Sequence, residues 1–244
     1  MSESDRQPGA RIQSIDALRG LCVILMVIHH FLLDLVVILD APEWLFYNPV
    51  FNFLHYVFAG CFIMLSGVSS RFSRSNIKRG AKVFAIAMLL TLVTWKIDII
   101  VFGVLHLLGF CMMFYGLTHR FWDRLKGAPA PLIYTALIVL SAIAVNVLDR
   151  SNELKWLWPF GLTYSGFSSA DYFPIFPWVF VFLLGTWLGE LIRDGKLPAR
   201  FYTFSVPFFP SAGRKALLIY ITHQPVLYAV TFGIAYLSGR QVTL

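Results

Sequence analysis

Charge is scarce in this chain: only 14% of its 244 residues are Asp, Glu, Lys or Arg, against 58% hydrophobic, including 23 Phe. That balance excludes a soluble single-core protein, which could not hide so much apolar surface from water. Cysteine is scarcer still. Cys22, Cys61 and Cys111 all fall inside apolar runs, with neither metal-ligand spacing nor a loop framework, so they read as small packing residues and no metal site is expected. Low-complexity tracts and short internal repeats are missing too. So is a cleavable leader: residues 1–13 are polar, and the first apolar run is too long for a signal core and lacks a small-residue cleavage site. The first helix is therefore expected to stay in the mature protein.

What the chain has in abundance is apolar runs long enough to span a bilayer. Seven are predicted, at about 17–39, 50–69, 80–97, 100–118, 130–148, 173–192 and 215–237. The fold class is an all-α polytopic membrane helix bundle of about seven transmembrane helices, with a polar cytoplasmic tail (1–13) before a single transmembrane domain (14–240). Lys96 and Asp98 leave little room between the third and fourth runs, which predicts a tight hairpin. Basic residues alternate between loops as the positive-inside rule requires. Arg6 and Arg11, then Arg71 to Lys82, then Arg120, Arg124 and Lys126, then Arg193 to Lys215 fall on one side, so the amino terminus is predicted inside and the carboxyl terminus outside. The net charge of +7 is thus spread along one membrane face. That argues for membrane lipids as neighbours and against nucleic acid.

The first run carries an ionisable stripe. Asp16, Arg19, His30 and Asp34 fall within roughly 60° of one another at about 100° per residue, while His29 is predicted to point the other way. At about 1.5 Å per residue, His30 lies roughly 16 Å beyond Arg19, near the middle of a hydrocarbon slab of about 30 Å. A histidine with a carboxylate one turn away is costly there and points to function. Near the end of the chain Tyr220, His223 and Gln224 lie within one turn, and Pro225 removes a donor so that the carbonyl of Ile221 is released. His223 reads equally as a bundle contact or as a group for acceptor binding or proton relay.

Other polar positions are more ordinary. His55 and His106 are expected toward the outer halves of their runs, and His119 at a helix C-terminus. Asp171 is read either as a helix-start residue, with Pro174 in the first turn, or as a carboxylate binding an acceptor at the outer mouth. Arg71 and Arg74 are spaced to share one phosphate if the second helix continues past Gly67, or else report topology alone. Gly60 and Gly67 predict close helix contact. Glu190 and Arg193 are spaced for a surface pair. Residues 149–172, with Trp156, Trp158 and Tyr164, form an interfacial aromatic belt or a stacking surface for a sugar ring.

The segment Arg11-Ile-Gln-Ser-Ile-Asp-Ala-Leu-Arg-Gly20, with its continuation to His29-His30, resembles the opening of the heparan-α-glucosaminide N-acetyltransferase catalytic-domain family. The likeness continues through Phe62–Gly67, Gly103–Gly109, Asp171–Trp178 and Gly213–Pro225. The Leu-Arg-Gly opening with His30 also resembles bacterial membrane acyltransferases that modify surface polysaccharides. The resemblance implies a plasma-membrane acyltransferase that moves an acyl group, most simply acetyl, from cytoplasmic acetyl-CoA or another acyl-CoA to a small carbohydrate or glycoconjugate on the outer side. Larger members carry a histidine after the first helix where residues 40–50 here have none, which favours direct transfer over an acyl-histidine.

The residues themselves allow such chemistry. His30 can act as the base with Asp34 fixing its tautomer, His223 as a second catalytic group, and Arg19, Arg71 and Arg74 as phosphate ligands of CoA. His55, Tyr220, Gln224 and Asp171 are candidates for binding the acceptor. A proton-coupled transporter using a His30/Asp34 relay is the alternative, though paired interrupted helices in two related halves are not visible. A non-catalytic scaffold is a third reading. Whether the chain forms a homo-oligomer is left open by its sequence.

Overall fold

A computed structural model describes residues 12–96, 99–149, 154–204 and 206–239. Among these residues the structure is helical throughout, without a strand. The long helices are α1 (Gln13–Leu39), α2 (Pro49–Ser70), α3 (Asn76–Thr94), α4 (Val104–Trp122), α5 (Pro129–Asp149) and α6 (Ile175–Arg193). Two short helices, α7 (Ala199–Thr203) and α8 (Phe209–Arg214), precede the last long one, α9 (Ala216–Leu237). Each of the seven apolar runs is thus mostly helical. Among the described residues, five segments are long and apolar enough to cross a membrane: α1, the stretch Glu43–Ser70 containing α2, α5, α6 and α9. Helices α3 and α4 fall outside that set. The first opens on Lys78, Arg79 and Lys82 and the second closes on His119 and Arg120, so basic residues interrupt the apolar run at one end of each helix.

The predicted tight hairpin between α3 and α4 is replaced by a loop. Helix α3 stops at Thr94 and α4 begins at Val104. The Thr91 hydroxyl donates to the Ile100 carbonyl at 2.6 Å, and the Ile100 amide donates to Thr94 Oγ1 at 3.2 Å. Threonine side chains thereby satisfy backbone groups that a hairpin would have left to water. Lys96 lies in the turn after α3, and Asp98 lies outside the described residues.

The chain divides into two compact units, one formed by residues 1–62 and 197–244, the other by 63–196. In the first, α1 packs along α8 and α9. A Cβ on Gly20 would strike the Phe209 carbonyl of α8, and one on Gly213 would strike the Asp16 carbonyl of α1. The glycine of Leu-Arg-Gly is therefore required for backbone contact. Ser14 donates to the Phe201 carbonyl of α7 from the same end of α1. At the other end Asp40 adopts the left-handed conformation (φ 50°) and its amide closes on the Leu35 carbonyl, a glycine-like stop made by an aspartate.

In the second unit, α3 pairs with α4 and α5 with α6. A Cβ on Gly80 would lie 2.7 Å from the Gly109 carbonyl, and one on Gly109 would lie 2.7 Å from the Phe84 amide nitrogen. The carboxyl-terminal part of α2 meets α6 equally closely. Added Cβ atoms at Gly67 and Gly185 would hit the carbonyls of Phe182 and Met64, and at Gly189 that of Val68 at 2.8 Å. The expectation that Gly67 serves close helix contact holds, with Phe182 and Gly185 as its partners on α6. Without a hydrophobic driving force between helices in lipid, small residues and tight van der Waals contact do this work.

Candidate functional site

The polar centre of the first unit is built from α1, α2 and α9. His30 stands against His223 with ring centroids 5.0 Å apart, and His29 stands against His55 at 4.4 Å and Phe46 at 4.7 Å. The two pairs meet where His29 lies edge-on to His30 at 5.8 Å. Four imidazoles thus form one cluster about two-thirds of the way along α1. His29 faces another way than His30, but it meets a polar group there too: His29 lies against His55 of α2 while His30, about 100° round α1, lies against His223 of α9.

Asp34 is 3% exposed and belongs to the same face of α1. Its expected hydrogen bond to His30 is not made among the described residues. Instead Gln224 Nε2 donates to both carboxylate oxygens, at 3.0 and 3.3 Å. Gln224 reaches the carboxylate because α9 packs on α1, and it satisfies acceptors that His30, committed to the imidazole stack, does not. His223 Nδ1 lies 2.7 Å from the Tyr220 carbonyl, which fixes a proton on that nitrogen and leaves Nε2 as the lone-pair side. The Tyr220 ring lies tilted against the same ring at 5.6 Å. His30, His223, His55, Tyr220 and Gln224 are therefore brought together.

The arginines fare differently. Arg19 is held by Asp16 at 3.0 Å on α1 itself. Arg71, in the second unit, follows the last residue of α2 and is enclosed: Nη2 lies 2.8 Å from Asp123 and 3.1 Å from Glu190, and Nε donates to the Thr186 carbonyl at 2.9 Å. The Tyr115 ring lies 5.5 Å below its guanidinium. Because α2 ends at Ser70, the helical register that would aim Arg71 and Arg74 at one phosphate does not exist. Arg74 is exposed and makes no ion pair among the described residues. Glu190 belongs to Arg71 and, at 3.9 Å, to Lys126, whereas Arg193 turns to Asp194; the expected Glu190–Arg193 pair is not formed. Lys196, on the other side of Asp194, joins Arg193 in drawing that surface carboxyl below its usual range, the hydrogen bond from Lys196 being the main cause.

Asp171 does cap a helix, but not the one it precedes. Its Oδ2 accepts from the Val104 amide at 3.0 Å, starting α4, and α6 is entered through Pro174 as its cap residue. His106 is buried beside Thr91 (3.2 Å) and between Phe84 and Phe102, a packing position. His119 holds the Gly116 carbonyl at the end of α4, as its position suggested. Trp158, Phe167 and Tyr172 interlock through ring contacts and a hydrogen bond from Tyr172 to the Trp158 carbonyl. Burial pushes the Tyr172 phenol up to about 12.

Sequence reasoning missed His29, the Asp34–Gln224 pair and the Arg71 cage. The cage alone had a signal: Asp123 and Glu190 are carboxylates set among otherwise basic helix ends.

A helical chain with several bilayer-length apolar segments is a multi-pass membrane protein, and in this one four imidazoles meet between helices. A family model described as heparan-alpha-glucosaminide N-acetyltransferase, catalytic, matches residues 11–225, and the chain belongs to that family of transferases. No curated protein and no solved structure matches it.

Proposed function

We propose that this chain is an integral-membrane acyltransferase that moves an acetyl group from cytoplasmic acetyl-CoA to an amine or hydroxyl of a sugar-like acceptor on the outer side of the plasma membrane. The observation that supports it best is the convergence of His30, His223, His55 and Gln224 within the family-matched region. In this reading the acceptor nitrogen or oxygen attacks the thioester carbonyl while a neutral imidazole, His30, takes its proton. The tetrahedral intermediate then expels the CoA thiolate, which recovers that proton from the imidazolium. His223, its Nδ1 proton held by the Tyr220 carbonyl, is the second group able to accept or relay a proton. His55 and Tyr220 border the acceptor.

All seven long helices serve as spans in this proposal, with the amino terminus inside and the carboxyl terminus outside, following the alternation of basic loops. Of the three arginines considered for CoA phosphates, we assign the role to Arg74. Arg19 could contribute only by giving up Asp16, and Arg71 only by abandoning two carboxylates.

The test is transfer of radiolabelled acetyl from acetyl-CoA to glucosamine by the purified chain in lipid nanodiscs. Wild type should bind acetyl-CoA and acetylate the sugar, and His30→Ala should retain binding while losing about 10² to 10⁴ in turnover. Near-normal turnover in His30→Ala would remove His30 as the base, and a wild-type chain that binds no acetyl-CoA would sink the proposal.

A further inference from the structure

The pair formed by Asp34 and Gln224 has a chemical polarity. A carboxylate offers acceptors only, so the end of the Gln224 amide that faces Asp34 must be the NH₂ group, and the two distances of 3.0 and 3.3 Å fit one nitrogen serving both oxygens. The usual ambiguity in orienting a glutamine amide is thereby removed. Fixing one end fixes the other: Oε1 is turned away from Asp34. That oxygen is buried and, among the described residues, receives no hydrogen bond. Native structures rarely leave such an acceptor unsatisfied. In the same cluster His29 Nδ1 is likewise buried without a partner.

An oxygen that can only accept selects a ligand group that donates, an N–H or an O–H. We propose that Gln224 Oε1 binds a donor hydrogen of the acyl acceptor, and that Asp34 is a positioning residue which dictates that the oxygen, not the nitrogen, of that amide faces the acceptor. This rests on the acyltransferase reading and assigns within it how an amine or hydroxyl is told from a group lacking a donor. Asp34 then acts through Gln224 rather than through His30.

The inference is tested by reversing the polarity. In Asp34→Lys the ammonium offers donors only, so Gln224 must accept with Oε1 and presents Nε2 to the site. In the double variant Asp34→Lys with Gln224→Glu, the Glu carboxylate accepts from the ammonium with one oxygen and presents the other. Binding of tritiated glucosamine to the full chain in nanodiscs, without acyl donor, should weaken about tenfold or more in the single variant, in keeping with loss of one buried hydrogen bond. It should return to within about threefold of wild type in the double variant, with acetyl-CoA binding unchanged throughout. Should the single variant fail to fold, the double variant decides: folded with glucosamine bound supports the pair, folded without it overturns it. Equal binding by wild type and the folded single variant, or no glucosamine bound by wild type, also overturns it. Failure of the acyltransferase reading looks different: glucosamine binds normally but receives no acetyl from acetyl-CoA.

Discussion

Replacing Arg71 with Ala should destabilise the second unit strongly. The guanidinium, its side chain 8% exposed, ties the end of α2 to the end of α4 through Asp123 and to α6 through Glu190 and the Thr186 carbonyl. Removing one partner of a buried ion pair typically costs about 3–5 kcal/mol, because the remaining charge is left uncompensated. The low end applies here: the Asp123 side chain is 29% exposed and can recover water, and Lys126 stands 3.9 Å from Glu190. A loss of about 3 kcal/mol is roughly 150-fold in the unfolding equilibrium. Titration of the detergent-solubilised chain with SDS, followed by tryptophan fluorescence and helical circular dichroism, should register it as an earlier midpoint. Arg71→Lys should recover less than half, because a single ammonium cannot reach two carboxylates and a carbonyl in a fixed fork. A wild-type midpoint in Arg71→Ala, together with lost acetyl-CoA binding, would refute the structural role and return Arg71 to the phosphates.

The close helix contacts give a second expectation. Gly20→Ala should cost about 1–3 kcal/mol in the same titration because α8 must move, whereas Gly233→Ala, whose added Cβ meets nothing within 4 Å, should be neutral or gain up to about 1 kcal/mol of helix propensity. Asp171→Ala should cost about 1 kcal/mol through the lost cap on α4, with Asp171→Asn retaining most of it. In a background without Cys22, Cys61 and Cys111, single cysteines at Ser75 and Asn48 should react with an impermeant maleimide from opposite membrane faces. Labelling of both from one face would overturn the assigned orientation.

The helices were legible because a bilayer-length apolar run leaves the backbone almost no alternative. Their lateral neighbours were not. A wheel assigns one polar side to α1, but a helix with partners on two flanks has two interior sides, which is how His29 and His30 join one cluster from adjacent positions. Spacing along one helix proposed Glu190 with Arg193, yet the buried cation Arg71 outbids the exposed Arg193 because only it is removed from competing water. Asp171 was read as a start residue of α6 or an acceptor ligand, yet its carboxylate accepts from the Val104 amide at the start of α4, far earlier in the chain, a fact of tertiary contact that no local pattern carries. For the imidazole cluster, sequence supplied His30, His223 and His55 as separate candidates. The packing of α9 on α1, with the contact of His55 of α2 against His29, supplied their union.

Two of the partners of α1, the helices α8 and α9, are made long after it. Asp34 and Gln224 are 190 residues apart, and the clasp of Gly20 against α8 spans a similar interval. At a synthesis rate of about 5–20 residues per second, the first helix waits roughly 10 to 40 s in the bilayer before α8 and α9 arrive. During that interval His30 and Asp34 lack His223 and Gln224 and face lipid, water defects or the insertion machinery instead. A nascent chain truncated before α9 therefore displays an unsatisfied polar helix, a recognisable target for membrane quality control, and ribosome stalling late in the message should leave products cleared faster than those of the complete chain.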